Sequence, residues 1–131
     1  MKLLYWAPRI LSIIFILFLA LFSLDVITPT ATTKEIIIGL LIHNIPVFIL
    51  SIILLISWKH EIVGAIFFNL AGLLYLFNFL ITINRTPSFN LGYLVPIFII
   101  SVPAFLIGIL FLINWKKKKT NKKLLFKKWD L

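Results

Sequence analysis

The chain has 131 residues, room for one small domain. Hydrophobic residues make up 62% of it and the mean hydropathy is +1.13, well above the roughly 45–50% apolar usage of soluble domains; a domain this small buries too little of its surface to hide that much apolar area from water. Thirteen Lys and Arg stand against four Asp and Glu, a net charge of +9, and the absence of cysteine excludes disulfides, thiolate metal sites and Cys nucleophiles. Lipid is therefore the expected solvent, and an all-α polytopic membrane protein the expected class.

A hydrocarbon core of about 30 Å needs about 20 apolar residues in a helix. The first such run covers residues 10–27, behind Lys2 and Arg9, and ends near Asp25. A cleaved signal peptide is the rival reading, but the run is longer than the usual h-region of roughly 7–15 residues and rich in Ile and Phe. Turn residues around Thr28-Pro29-Thr30 lead to the second run, 36–57, which carries His43, Asn44 and Pro46. Trp58-Lys59-His60-Glu61 separates it from the third, 62–83. Asn84-Arg85-Thr86-Pro87-Ser88-Phe89-Asn90 precedes the fourth, 91–114, which Tyr93 opens and Pro96 and Pro103 interrupt.

Barrel strands would be about 10 residues long with alternating polarity, so these runs are helices. Short turns make successive helices antiparallel, which predicts two helical hairpins packed as a four-helix bundle over residues 1–115. Residues 116–131 form a lysine-rich tail. Lys2, Arg9 and Lys59 lie on the same side as that tail, against only Lys34 and Arg85 opposite. The positive-inside rule then places both termini in the cytoplasm. All four tryptophans, Trp6, Trp58, Trp115 and Trp129, fall at or beyond that same side, as interfacial indoles should.

Polar groups inside spans face the bundle or mark function. Asp25, His43, Asn44 and Asn78 fall at similar depth in the outer half, an expected cluster able to pair a carboxylate with imidazolium, relay a proton or hold a small ligand or cation. Plain interhelical hydrogen bonding is the simpler reading. No acidic residue lies at mid-depth, which argues against a proton-coupled exporter.

Small residues mark packing faces. Gly64, Ala71 and Asn78 recur at heptad spacing, as do Ala65, Gly72 and Phe79, and Ser101, Gly108 and Trp115. Such stripes let helices approach closely, within the protomer or between copies. Pro46, Pro96 and Pro103 free the carbonyls of Ile42, Gly92 and Ile99, so kinks are expected there. Ile45-Pro46-Val47-Phe48-Ile49-Leu50-Ser51-Ile52 is matched by Val95-Pro96-Ile97-Phe98-Ile99-Ile100-Ser101-Val102, and both lead to a Trp-Lys pair, the pattern a parallel duplication would leave.

In the tail, Lys116, Lys117, Lys118, Lys119, Lys122, Lys123, Lys127 and Lys128 are expected to contact anionic lipid headgroups. Leu124, Leu125, Phe126 and Trp129 would dip into the interface as a short amphipathic turn. No nucleic-acid-binding fold accompanies this charge, so nucleic acid is not an expected partner.

Trp6-Ala7-Pro8-Arg9-Ile10-Leu11, Ser23-Leu24-Asp25-Val26, His43-x-x-Pro46 and Trp58-Lys59-x-Glu61-x-x-Gly64 together resemble an uncharacterised family of small prokaryotic four-helix membrane proteins. The resemblance covers the chain up to the tail, which looks like an extension. It implies a multi-pass protein of the plasma membrane and brings no activity with it. No phosphate loop, metal-ligand spacing or nucleophile–base set is present, so no enzyme, cofactor or metal is expected. The expected role is a non-enzymatic accessory or oligomeric membrane component, partnered by lipid and by a second copy or a larger membrane protein. The alternative is a small channel or transporter for protons, ions or a small solute, built on the outer polar cluster.

Overall fold

The computed structural model describes residues 2–85, 88 and 90–129, without the side chain of Tyr93. Helices α1 (Lys2–Phe22), α2 (Thr33–His43), α3 (Ile45–Ser57), α4 (Glu61–Arg85) and α5 (Val102–Trp129) are joined by 3-10 turns at Ser23–Val26 and Leu91–Leu94 and by a π-helical turn at Ile97–Ser101. They make four helical units long and apolar enough to cross a membrane: Lys2–Val26, Thr33–Ser57, Glu61–Arg85 and Ile97–Trp129. In the third turn, Thr86, Pro87 and Phe89 lie outside the described residues, as do Asp130 and Leu131 of the tail and the expected role of the Tyr93 ring.

Prolines shape three of the four units, each in its own way. Helix α1 starts at Lys2 and carries Pro8 in its second turn. A proline there leaves the carbonyl four residues earlier without its helical donor; in this fold Asn114 Nδ2 donates to that Leu4 carbonyl at 2.7 Å. The second unit breaks at Asn44, where α2 hands over to α3 with Pro46 in the first turn of the new helix. In the fourth unit the two prolines bracket the π-helical turn, whose wider ring is one way to pass residues that cannot donate. The matched Pro46 and Pro96 stretches thus differ in backbone, the first α-helical and the second π-helical.

The tail is no short turn. Helix α5 runs on without interruption to Trp129, carrying the exposed lysines about 20 Å past Asn114 at 1.5 Å per residue.

Helix α4 packs mainly against α5, α5 against α1, α1 against α3 and α3 against α4, a ring in which α1 stands diagonal to α4. The core is built from Phe15, Leu50, Leu54, Phe68, Ile107 and Phe111 among others, with the Phe68 and Phe111 rings stacked 6.0 Å apart. Of the expected packing residues, Gly64, Ala65, Gly72, Ser101 and Gly108 are buried and Ala71 is half-buried. The Ser101 hydroxyl reaches across to the Gly72 carbonyl at 3.4 Å.

This core occupies only half the bundle. Helix α4 buries Glu61, Gly64, Ala65, Phe68 and Gly72 and nothing beyond, and α2 buries no residue at all. The half nearer both described chain ends is a packed interior; the far half is largely exposed.

Candidate functional site

The four residues expected to meet in the far half do not form a hydrogen-bonded cluster among the described residues. Asp25 sits exposed in the 3-10 turn that ends the first unit. His43 is exposed, with Nδ1 at 3.0 Å from the Gly39 carbonyl one turn back. Asn44 is half-buried and donates to Leu40, also one turn back, at 2.8 Å. Asn78 is exposed and borders a groove of about 370 Å³ between α3 and α4. His43 and Asn44 each commit one polar atom to their own helix, which weakens the drive to find partners across the bundle. His43→Ala is therefore expected to change stability by less than about 0.5 kcal/mol, read from thermal unfolding in mild detergent.

Most of the buried polar residues, Arg9, Ser12, Ser57, Glu61 and Asn114, lie instead at the opposite, basic end. Arg9 is fully buried on α1, and its Nη2 lies 3.1 Å from Oε1 of Glu61, itself only 4% exposed. The same nitrogen donates to the Trp58 carbonyl at 3.3 Å, and Nη1 donates to the Tyr5 carbonyl. The Trp58 carbonyl is among the last of α3, which the helix leaves without an amide partner. Glu61 opens α4, where the positive end of the helix dipole favours a carboxylate. One guanidinium thus ties the end of α3 to the start of α4, and its length lets α1 reach across the diagonal of the ring.

Aromatic rings enclose this junction. The Arg9 guanidinium carbon lies 3.6 Å from the Tyr5 ring centroid, with Trp58 at 5.8 Å and Phe111 at 5.9 Å. Trp6 meets Trp58 edge-on at 6.2 Å. Such faces stabilise a cation once it is out of water. A Cβ on Gly64 would stand 2.8 Å from Ser57 Oγ and from Phe111, so only glycine admits this closeness. Ser12 and Ser57, both fully buried, satisfy their hydroxyls on the Pro8 and Ile53 carbonyls at 2.6 Å each. Asn114 adds the bond to Leu4. Asn114→Leu is expected to cost about 1 kcal/mol by leaving that carbonyl without a donor, measured by the same unfolding experiment.

Two atoms in the junction stay unpartnered, Arg9 Nε and Glu61 Oε2. The pair is therefore monodentate, held by one Nη2–Oε1 contact. An open cavity of about 590 Å³ lies beside it, lined by Tyr5, Glu61, Asn114 and Lys116 to Lys118. The tail lysines are exposed along α5, and Lys119 rests 5.0 Å from the Trp115 ring centroid. Among the described residues, no group of three or more His, Cys, Asp and Glu side chains is placed to hold a metal ion.

In the sequence Arg9 has the place of an orientation charge and Glu61 that of a turn residue. The signal was nonetheless present. The segments Trp6-Ala7-Pro8-Arg9 and Trp58-Lys59-His60-Glu61 precede or open helices that start at the same end of the bundle, and the fold brings them together.

A family model for a domain of unknown function, DUF7670, matches residues 1–123. The chain belongs to this family. The match includes both segments of the junction and extends to Lys123, so the first half of the lysine-rich stretch is part of the family domain rather than an added extension. No curated protein and no solved structure matches the chain.

Proposed function

We propose that this DUF7670 member is a four-span protein of the prokaryotic plasma membrane with both termini in the cytoplasm. It works without enzymatic chemistry, as an accessory subunit or homo-oligomeric component. The observation that carries this reading is the half-built core: α2 buries nothing, and α4 buries nothing beyond Gly72. Interhelical surface in that half is left for a neighbour to cover, while the Arg9–Glu61 junction holds the other half as one unit. The first span supplies Arg9 and the Leu4 carbonyl to that unit, which supports its retention rather than cleavage. The alternative transport role rests on Asp25, His43, Asn44 and Asn78, which make no hydrogen bond to one another among the described residues; His43 and Asn44 bond within their own helix.

Affinity capture of the tagged chain from its native membrane in mild detergent, with stoichiometry by mass spectrometry, tests the proposal. A second membrane protein in fixed ratio, or a homo-oligomer, supports it; a lone monomer overturns it. Because the chain has no cysteine, orientation can be read by single-cysteine labelling. Thr30→Cys should react with an impermeant maleimide in intact cells, and Asn121→Cys only after permeabilisation.

A further inference from the structure

The unpartnered Glu61 oxygen lies in an otherwise cationic setting. Glu61 lines a cavity of about 590 Å³ whose rim carries Lys116, Lys117 and Lys118, with Tyr5 and Asn114 beside them. Its Oε1 is held by Arg9, while its Oε2 is buried with no donor. A buried carboxylate oxygen left without a donor costs free energy that a ligand N–H can recover. A ligand suited to this cavity therefore brings two groups: an anion for the lysines and a hydrogen-bond donor, preferably cationic, for Glu61.

A third property follows from the same seam. Next to this cavity, α1 and α5 border an apolar groove of about 390 Å³, lined by Leu11, Phe15, Phe18, Pro103, Leu106 and Ile107. Leu4, which lines the polar cavity, is one heptad from Leu11 and two from Phe18, so both cavities lie along one stripe of α1. Each heptad advances about 10 Å along the helix axis. On α5, Lys117 and Asn114 of the first cavity continue the face of Pro103 and Leu106 in the second at spacings of three and four residues through Leu110. The seam thus offers, in sequence, positive charge, a carboxylate acceptor and an apolar trough.

We propose that the α1–α5 seam binds a phosphoethanolamine group, its phosphate on Lys116 to Lys118 and its ammonium donating to Glu61, with an acyl chain in the groove beside Phe15 and Leu106. The inference rests on the membrane reading above. A phosphatidylglycerol headgroup can offer only neutral hydroxyls to Oε2, and its net negative charge meets that of Glu61. A phosphocholine group carries the positive charge but has no N–H to give. The ammonium of phosphoethanolamine supplies both charge and donors.

The test uses the full chain reconstituted in nanodiscs of equal parts phosphatidylethanolamine, phosphatidylcholine and phosphatidylglycerol, with retained lipid counted by native mass spectrometry. Phosphatidylethanolamine should be retained about tenfold over either of the others, the preference one charge-assisted hydrogen bond confers. Substituting Lys116, Lys117 and Lys118 together by Gln, outside the packed bundle, should abolish that retention; Glu61→Gln should erase the preference over phosphatidylcholine. Equal retention of the three lipids, or enrichment of phosphatidylglycerol, overturns the proposal by showing a general basic surface. A triple variant that keeps the preference overturns it as well. Soluble phosphoethanolamine distinguishes the source: displacement at matching concentration supports the site with a soluble ligand, and no displacement supports it with the lipid. A chain that reconstitutes but shows no preference overturns this inference alone. A chain that does not enter the bilayer overturns the membrane reading too.

Discussion

Glu61→Leu alone, or Arg9→Met alone, should lower the stability of the purified protein by about 3–5 kcal/mol, the cost of leaving one buried charge without its partner. The double variant Arg9→Met/Glu61→Leu should recover most of that loss. Arg9 is fully buried and Glu61 nearly so, so a charge left without its partner sits in a poorly hydrated place. The ion pair has already met a large desolvation cost, so replacing both ends by apolar groups of similar size removes cost and gain together. The double variant still lacks the donors to the Trp58 and Tyr5 carbonyls, so recovery should stop short by about 1–2 kcal/mol. Thermal or denaturant unfolding in mild detergent measures all three variants. A double variant as unstable as the worse single one would show that the pairing is not what stabilises the junction.

Gly108→Val should cost about 3 kcal/mol and Gly108→Ala about 1–2 kcal/mol, while Gly72→Ala stays within about 0.5 kcal/mol. A Cβ on Gly108 would stand 2.5 Å from Asn69 Nδ2, 2.6 Å from its Cγ and 2.9 Å from its backbone nitrogen. The Asn69 amide is held by its bond to the Ala65 carbonyl at 2.7 Å, and a backbone atom cannot turn aside, so α4 and α5 must separate. At Gly72 the same added carbon meets only the Phe105 ring, at 3.1 Å or more. A ring yields by a few tenths of an ångström, and the better helix propensity of alanine offsets the strain. Unfolding of the three variants side by side checks the contrast. Equal effects at Gly72 and Gly108 would remove the close approach at Gly108 as its cause.

The four apolar units were legible in the sequence because their signal is a running sum over some twenty residues, which a few misplaced boundaries cannot erase. Gly64, Gly72 and Gly108 stand out in the sequence by lacking a side chain, and all three are buried in the fold. The junction was harder. Arg9 and Glu61 are 52 residues apart, and each has an adequate local explanation, one as an orientation charge and the other as the first residue after a turn. The start of α1 is hidden because the apolar run begins only after Arg9, while the helix itself runs from Lys2 through Pro8, whose missing donor Asn114 replaces. The far cluster failed for the opposite reason. Asp25, His43, Asn44 and Asn78 share a depth, but depth says nothing of direction, and hydrogen bonds to carbonyls one turn back leave no trace in a periodicity.

The separation of Arg9 and Glu61 along the chain also sets a timetable for synthesis. A ribosome adding about 5–20 residues per second delivers Glu61 some 3–10 s after Arg9. Through that interval the first helix carries an unmatched guanidinium, which the membrane reading proposed above would place at the headgroup level. Arg9 can settle among Tyr5, Trp58 and Phe111 only after the third helix has started and the fourth has been made, because Phe111 comes last. Assembly of the buried junction is thus reserved for a nearly finished chain, and a chain stalled after its second helix would lack both Glu61 and the Phe111 ring that complete it.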